Sequence, residues 1–218
     1  MNQSIFLLFL SFIILSCDPE ESCPAFIDLG LLNLLDSSAA AFPYKSDQIK
    51  LIFSDSLGRE YVGNVELSGR PFAGISGDVR CKSNPDSKVP ASGRMQVITG
   101  FLFIDGLAGK FSIRFHVFPN FESDPSKILA DVAFVDYLED DFTLPGFLNP
   151  IIIDKRTWPD VSLGGFEYAP TLTIHTKKFK NVYIEKFSNP QYYFTFEEGI
   201  IGFRFLDGNK SYKLERIE

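Results

Sequence analysis

The chain has 218 residues, 45% hydrophobic and 22% charged, which excludes a disordered tether for most of its length and allows one substantial β domain or two small ones. Its formal charge of −7 falls entirely after residue 16, a balance that argues against nucleic acid, which needs a basic stripe to displace counterions. Phe is abundant, at 23 copies against 2 Met and 1 Trp, and it suits the half-buried face of a sheet.

An apolar run from Ile5 to Leu15, broken only by Ser11, opens the chain. Eleven helical residues at about 1.5 Å each span roughly half a bilayer core, too short to cross it. The length suits the apolar core of a secretory signal peptide. The run closes on Ile14-Leu15-Ser16-Cys17, which resembles the lipobox of bacterial lipoproteins. In that family the peptide is cut before the cysteine, whose sulfur then carries a diacylglycerol. The resemblance implies a signal peptide over residues 1–16 and lipidation at Cys17. A plain secreted protein cut near Ser16, with Cys17 an ordinary thiol, is the competing reading. Net negative charge disfavours adsorption to anionic lipid, so membrane attachment would come from the acyl chains.

Residues 17–24 read as an acidic tether carrying Asp18, Glu20 and Glu21. Acidic residues soon after the lipidated cysteine resemble the surface-export signal of Bacteroidota lipoproteins. Asp directly after the cysteine resembles instead the inner-membrane retention signal of enteric bacteria. Three acids within five residues favour export, so the implied address is the outer membrane, lipid-anchored, at the cell surface. With Cys17 acylated, Cys23 and Cys81 remain as an even pair in an oxidising compartment, and a disulfide between them is expected. Two unpaired buried thiols are the alternative. A metal site is not expected, because two sulfurs lack His partners at ligand spacing.

Ala25 to Leu35 fits helix and strand templates equally, and Asp36 to Pro43 allows one helical turn. Gln48 to Phe53 and Arg59 to Leu67 form a hairpin over Asp55-Ser56-Leu57-Gly58. Gly69 to Gly77 reads as a loop or bulged edge, and Ser83 to Ser92, with Pro85 and Pro90, as a loop. Met95 to Ile104 and Lys110 to Phe118 form the clearest hairpin, turning at Asp105 to Gly109. Residues 127–138 fit a helix after an Asp124-Pro125 cap, yet also alternate as a strand; a short return onto the preceding hairpin favours the strand. Leu138 to Gly165 is mainly irregular, with Ile151 to Ile153 a short buried piece. Within a single β-rich domain over 25–218, residues 139–165 would hold either a seam or a functional loop.

From Thr171 the chain alternates again: Thr171 to Thr176, Asn181 to Phe187, Tyr192 to Glu197, Ile200 to Leu206 and Lys210 to Arg216, with Asp207-Gly208 a strong hairpin signal. The expected fold class is mainly β: antiparallel sheets from successive hairpins, sandwich-like or closing into a partly open barrel. The order Phe179-Lys180-Asn181-Val182-Tyr183, Tyr192-Tyr193-Phe194, Gly199 to Phe203, Asp207-Gly208-Asn209 and Tyr212-Lys213-Leu214 resembles the closing strands of small, mostly uncharacterised lipoproteins of Bacteroidota. Phe42-Pro43-Tyr44 with Ile49, Phe53 and Gly58 resembles their opening hairpin. The resemblance implies address and fold and carries no activity.

No catalytic centre or cofactor is expected. Gly74-Ile75-Ser76-Gly77 lacks the glycine two positions after serine that a nucleophile elbow requires. His116 and His175 sit on the polar faces of predicted strands, where a solvated histidine is the usual outcome. Glu139-Asp140-Asp141 lacks EF-hand spacing, and Glu197-Glu198 are neighbours that a strand would point apart. The leading expectation is a surface-displayed binding or structural module for an unknown protein, glycan or lipid. It would work through loops at Ser83 to Ser92 and Leu138 to Gly165, with Arg156 and Trp158 as contacts. The alternative is an envelope carrier holding a lipid on a Phe-rich concave sheet. A polysaccharide-acting enzyme, third, would need two carboxylates facing across a cleft.

Overall fold

A computed structural model describes residues 23–81, 86–121, 124–139, 150–156, 166–208 and 210–218. The strands are β1 (Ile27–Leu32), β2 (Lys50–Asp55), β3 (Glu60–Leu67), β4 (Phe72–Arg80), β5 (Lys88–Ile104), β6 (Lys110–Asn120), β7 (Asp124–Leu138), β8 (Ile151–Lys155), β9 (Phe166–Ile174), β10 (Lys177–Glu185), β11 (Gln191–Thr195), β12 (Gly199–Phe205) and β13 (Lys210–Ile217). One helical turn, α1 (Asp36–Ala40), lies between β1 and β2. The fold is mainly β, as its composition and alternation imply.

The main sheet runs β8-β7-β6-β5-β3-β2-β13-β12-β11-β10-β9 and curls until it is nearly closed into a barrel. Nearest neighbours in it are antiparallel hairpin partners, except where β3 meets β5 and where β13 returns to β2. The return joins the last strand to one of the first, with Leu214 opposite Phe53, and so merges two meanders into one continuous sheet.

β5 belongs to two sheets. Its C-terminal half lies between β3 and β6, while its N-terminal half lies between antiparallel β4 and parallel β1 in a three-stranded side sheet. Seventeen residues at about 3.3 Å each make this strand roughly 55 Å long, so it spans the molecule from a root, at Lys88, to a tip, at Ile104. The disulfide Cys23–Cys81 closes the root, with Cα atoms 5.8 Å apart. Cys23 stands four residues before Ile27, the partner of Ala91, and the Cys81 amide donates to the Ser87 carbonyl at 3.0 Å. The bridge therefore ties together the two strands that flank β5, level with the point where β5 begins.

Alternation fills the barrel with rings. Phe53, Phe111, Phe115, Phe194 and Phe203 are fully buried. Phe203 stacks on Tyr212 at 4.6 Å and meets Phe53 and Phe111 edge-on or tilted at 5.6 and 5.2 Å. The segment after α1 plugs the end of the barrel nearest the root. Phe42 lies 5.0 Å from Phe115, and the buried Tyr44 hydroxyl accepts the Ile200 amide at 3.1 Å. Ile151 and Phe179, on opposite sides of residues 139–165, share this one core.

Two expectations change. Of the stretch read as a loop or bulged edge, Gly69 to Pro71 is irregular, but edge strand β4 starts at Phe72, and Gly77 is there because a Cβ would strike the Phe121 ring. Ser83 to Ser92 is strand from Lys88 onward; Pro90 is tolerated because it lies before β1 joins, where β5 has a neighbour on one side only. Residues 127–138 form a strand throughout, the reading that the short return onto the preceding hairpin favours. His175 lies in the β9–β10 turn at φ 53, exposed as expected of a histidine off the apolar face.

Candidate binding surface

Of the two predicted contact residues, Arg156 is among the described residues. Trp158 and Cys17 lie outside the described residues, as do Asp140 and Asp141. Arg156 follows β8 and turns inward: one guanidinium nitrogen lies 2.7 Å from the Asp131 carboxylate and donates to the Asn33 carbonyl at 2.8 Å. Asp131 is fully buried and also accepts the Leu35 amide at 2.9 Å, while the Gln96 side chain accepts the Leu34 amide at 3.1 Å. Arg156 thus clamps the chain between β1 and α1 where the side sheet joins the barrel.

Leu138 and the 83–92 stretch do not share an end. Leu138 pairs with Lys110 at the tip, and Lys88 begins β5 at the root, so these two described residues are separated by about the length of β5.

A second group lines the seam where the barrel almost closes. β8 pairs β7 only from Ala130 to Ala133, so the next stretch of β7 needs other partners. The Tyr192 hydroxyl, reaching across from β11, donates to the Val135 carbonyl. Asp136 lies 4.0 Å from Arg114, and its carboxyl is pushed up to about 6 by burial, with Arg114 opposing and Glu185 reinforcing the shift. Burial and the neighbouring carboxylates likewise raise the Tyr192 phenol.

His116, expected in solvent, is buried and stacked on Phe134 with centroids 5.0 Å apart. The reason is that the outward face of β6 and β7 is itself covered: Val132, Phe134 and Ser112 are buried beside it. Burial lowers the imidazole pKa, and Nδ1 lies 2.7 Å from the Val117 carbonyl, which places the proton of the neutral ring on Nδ1. Asp136 and Glu185 feel each other's charge, but neither lines the cavity at the tip. Among the described residues no three His, Cys, Asp or Glu side chains are grouped to hold a metal.

The tip carries the features a partner could use. Four hairpins turn there: β2–β3, β5–β6, β10–β11 and β12–β13, as their registers require. Three of these turns present an exposed apolar side chain: Leu57 at 77%, Phe187 at 86% and Leu206 at 51%. The turns are held firmly. Asp55 accepts the amides of Leu57 and Arg59 at 2.9 and 3.0 Å, and the Arg59 side chain at 2.7 Å. Burial raises the Asp55 carboxyl, but these hydrogen bonds outweigh it and hold the pKa below the usual carboxylate range. Asn189 staples two turns together, donating to Asp207 at 2.9 Å and accepting the Leu206 amide at 3.1 Å.

Beside them, Phe103, Leu107, Gly109, Lys110, Leu138 and Glu139 line a cavity of about 260 Å³. Sequence reasoning missed this surface. The exposed leucines lie in turns, and only the strand order shows that the turns share one end. Comparison with protein-family models, curated proteins and solved structures finds no match.

Proposed function

We propose that this chain is a lipid-anchored module of the bacterial outer membrane, displayed at the cell surface, that binds a protein, glycan or lipid partner through the tip of its barrel. The observation that carries the reading is the lipobox-like Ile14-Leu15-Ser16-Cys17 placed six residues before Cys23, which the domain holds in a disulfide. A bridge of this kind belongs to an oxidising compartment. Six residues reach at most about 20 Å, so an acyl group on Cys17 would hold the root close to the bilayer and leave the tip clear of it. There the exposed Phe187, Leu57 and Leu206 supply the apolar anchor that interfaces rely on.

The carrier reading is weaker, because the Phe-rich concave face is filled by its own rings. Metabolic labelling with a palmitate analogue is expected to mark the wild-type chain and not a Cys17→Ala variant, which should leave the membrane fraction. Protease shaving of intact cells then reads the side of the membrane. An unlabelled wild-type chain, or a Cys17→Ala variant that still sediments with membranes, would overturn the anchor.

A further inference from the structure

The three-stranded side sheet has two unlike faces. Toward the core it presents Leu32, Ala73, Ile75, Val79, Val89 and Met95, buried or half-buried. The other face is in solvent, yet it is not simply polar. Leu31 is 50% exposed and Phe72 is 38% exposed. Leu31 pairs with Arg94, and the Arg94 guanidinium lies 5.0 Å over the Phe72 ring, so an aliphatic chain, a cation and an aromatic ring form one row across all three strands. Phe26, two residues before Asp28 and therefore on the same side, is 52% exposed.

The charged residues of this face are Arg80, Lys88 and Arg94 against Asp28 and Asp78, all exposed. A face with more cations than carboxylates, on a chain of net charge −7, is locally inverted. Exposed aromatic and aliphatic tips among Arg and Lys suit the headgroup layer of a bilayer, where the apolar groups enter the acyl boundary and the cations meet phosphates.

We propose that the outward face of the β4–β5–β1 sheet lies against the bilayer, with Phe26, Leu31 and Phe72 entering its interface and Arg80, Lys88 and Arg94 meeting lipid phosphate. The inference rests on the anchor proposed above, which brings this face to the bilayer: Cys23 lies three residues before Phe26, and the disulfide fixes it at the edge of the same sheet. It adds an orientation that an anchor alone does not supply. A tethered domain with no preferred face would tumble about its six-residue leash, whereas a docked face holds the long axis along the membrane and carries the tip sideways, open to a partner. The face needs no strong affinity of its own, because the leash keeps it at high local concentration beside the lipid.

The test uses the full-length lipidated chain in phosphatidylcholine vesicles that contain a shallow nitroxide-labelled lipid. A fluorophore is attached in turn to Leu31→Cys, Phe72→Cys and, as control, Leu57→Cys; the native cysteines do not react when acylated or bridged. All three positions are exposed, so the substitutions leave the core intact. Quenching at positions 31 and 72 is expected to be several-fold greater than at position 57. It should fall to the control level when Lys88→Glu and Arg94→Glu are combined. Mass spectrometry of the Cys17 peptide reports the anchor separately. Acylated Cys17 with equal quenching at all three positions, strong or weak, overturns the docked face and leaves the anchor standing. Unmodified Cys17 overturns the anchor; quenching confined to 31 and 72 would then still support the face, and its absence would end it.

Discussion

Asp131 and Asp136 are five residues apart on one strand and do opposite things to stability. Asp131 is fully buried against Arg156 and the Leu35 amide, so Asp131→Ala leaves a guanidinium without its counter-charge and an amide without its acceptor. Breaking a buried pair on one side costs about 3–5 kcal/mol, and the urea midpoint of this variant should fall accordingly. Asp136 is held at a cost. Its carboxyl is pushed up to about 6, above the usual carboxylate range, so the folded state binds the proton more tightly. Its own contribution to stability is most favourable at acid pH and declines as pH rises through that window. Asp136→Asn should therefore stabilise the protein at pH 7.5 by about 2 kcal/mol and give no gain at pH 4, as denaturation at the two pH values would read. Neither role was legible from the sequence. Arg156 reads as a loop cation and His116 as a polar-face histidine until one sees what packs on them. Those partners come from strands far along the chain, which alternation does not identify.

At the scale of the element, local rules did well where a strand pairs with its neighbour in sequence. The Asp55 to Gly58, Asp105 to Gly109 and Asp207-Gly208 turns all join adjacent strands, and turn chemistry with period-2 alternation is visible in a short window. The rules failed over residues 69–92, because glycine and proline there answer to tertiary neighbours: Phe121 beneath Gly77, and a missing second neighbour beside Pro90. The pairing of Cys23 with Cys81 was legible from cysteine number and compartment, though what it fastens was not. It bridges the strands on either side of β5 and closes a loop with a sequence separation of 58. The chain-entropy model assigns such a loop about 4 kcal/mol. Cys23→Ser with Cys81→Ser should lower stability by that order. Because β1 and β4 are the strands released, hydrogen exchange should quicken in the side sheet first and leave β2, β12 and β13 protected. Uniform loss of protection across both sheets would mean that the bridge secures the whole barrel.

For the molecule as a whole, the decisive pairing is the one a window cannot see. β13 returns to β2, and the sheet then curls until Tyr192 spans the remaining seam to Val135. Composition announced a Phe-rich β protein, but the same composition serves a packed core or a lipid-holding cup. Closure decides between them, because a barrel of this kind is filled or hollow according to the side chains that point inward. Here Phe53, Phe111, Phe115, Phe194 and Phe203 point inward and touch, and Phe42 and Tyr44 stop the end nearest the root. A ligand in the interior would have to displace rings that are already in van der Waals contact. The Cys17→Ala chain, freed of any acyl group, should accordingly appear in native mass spectrometry at its bare mass, with no lipid retained after extraction from membranes. Phe203→Ala, which removes the ring at the centre of the cluster, should cost about 3–5 kcal/mol and open a cavity in the same place. If the wild-type interior already held lipid, that substitution would enlarge an existing site and raise the amount of lipid carried, instead of creating a void where none had been.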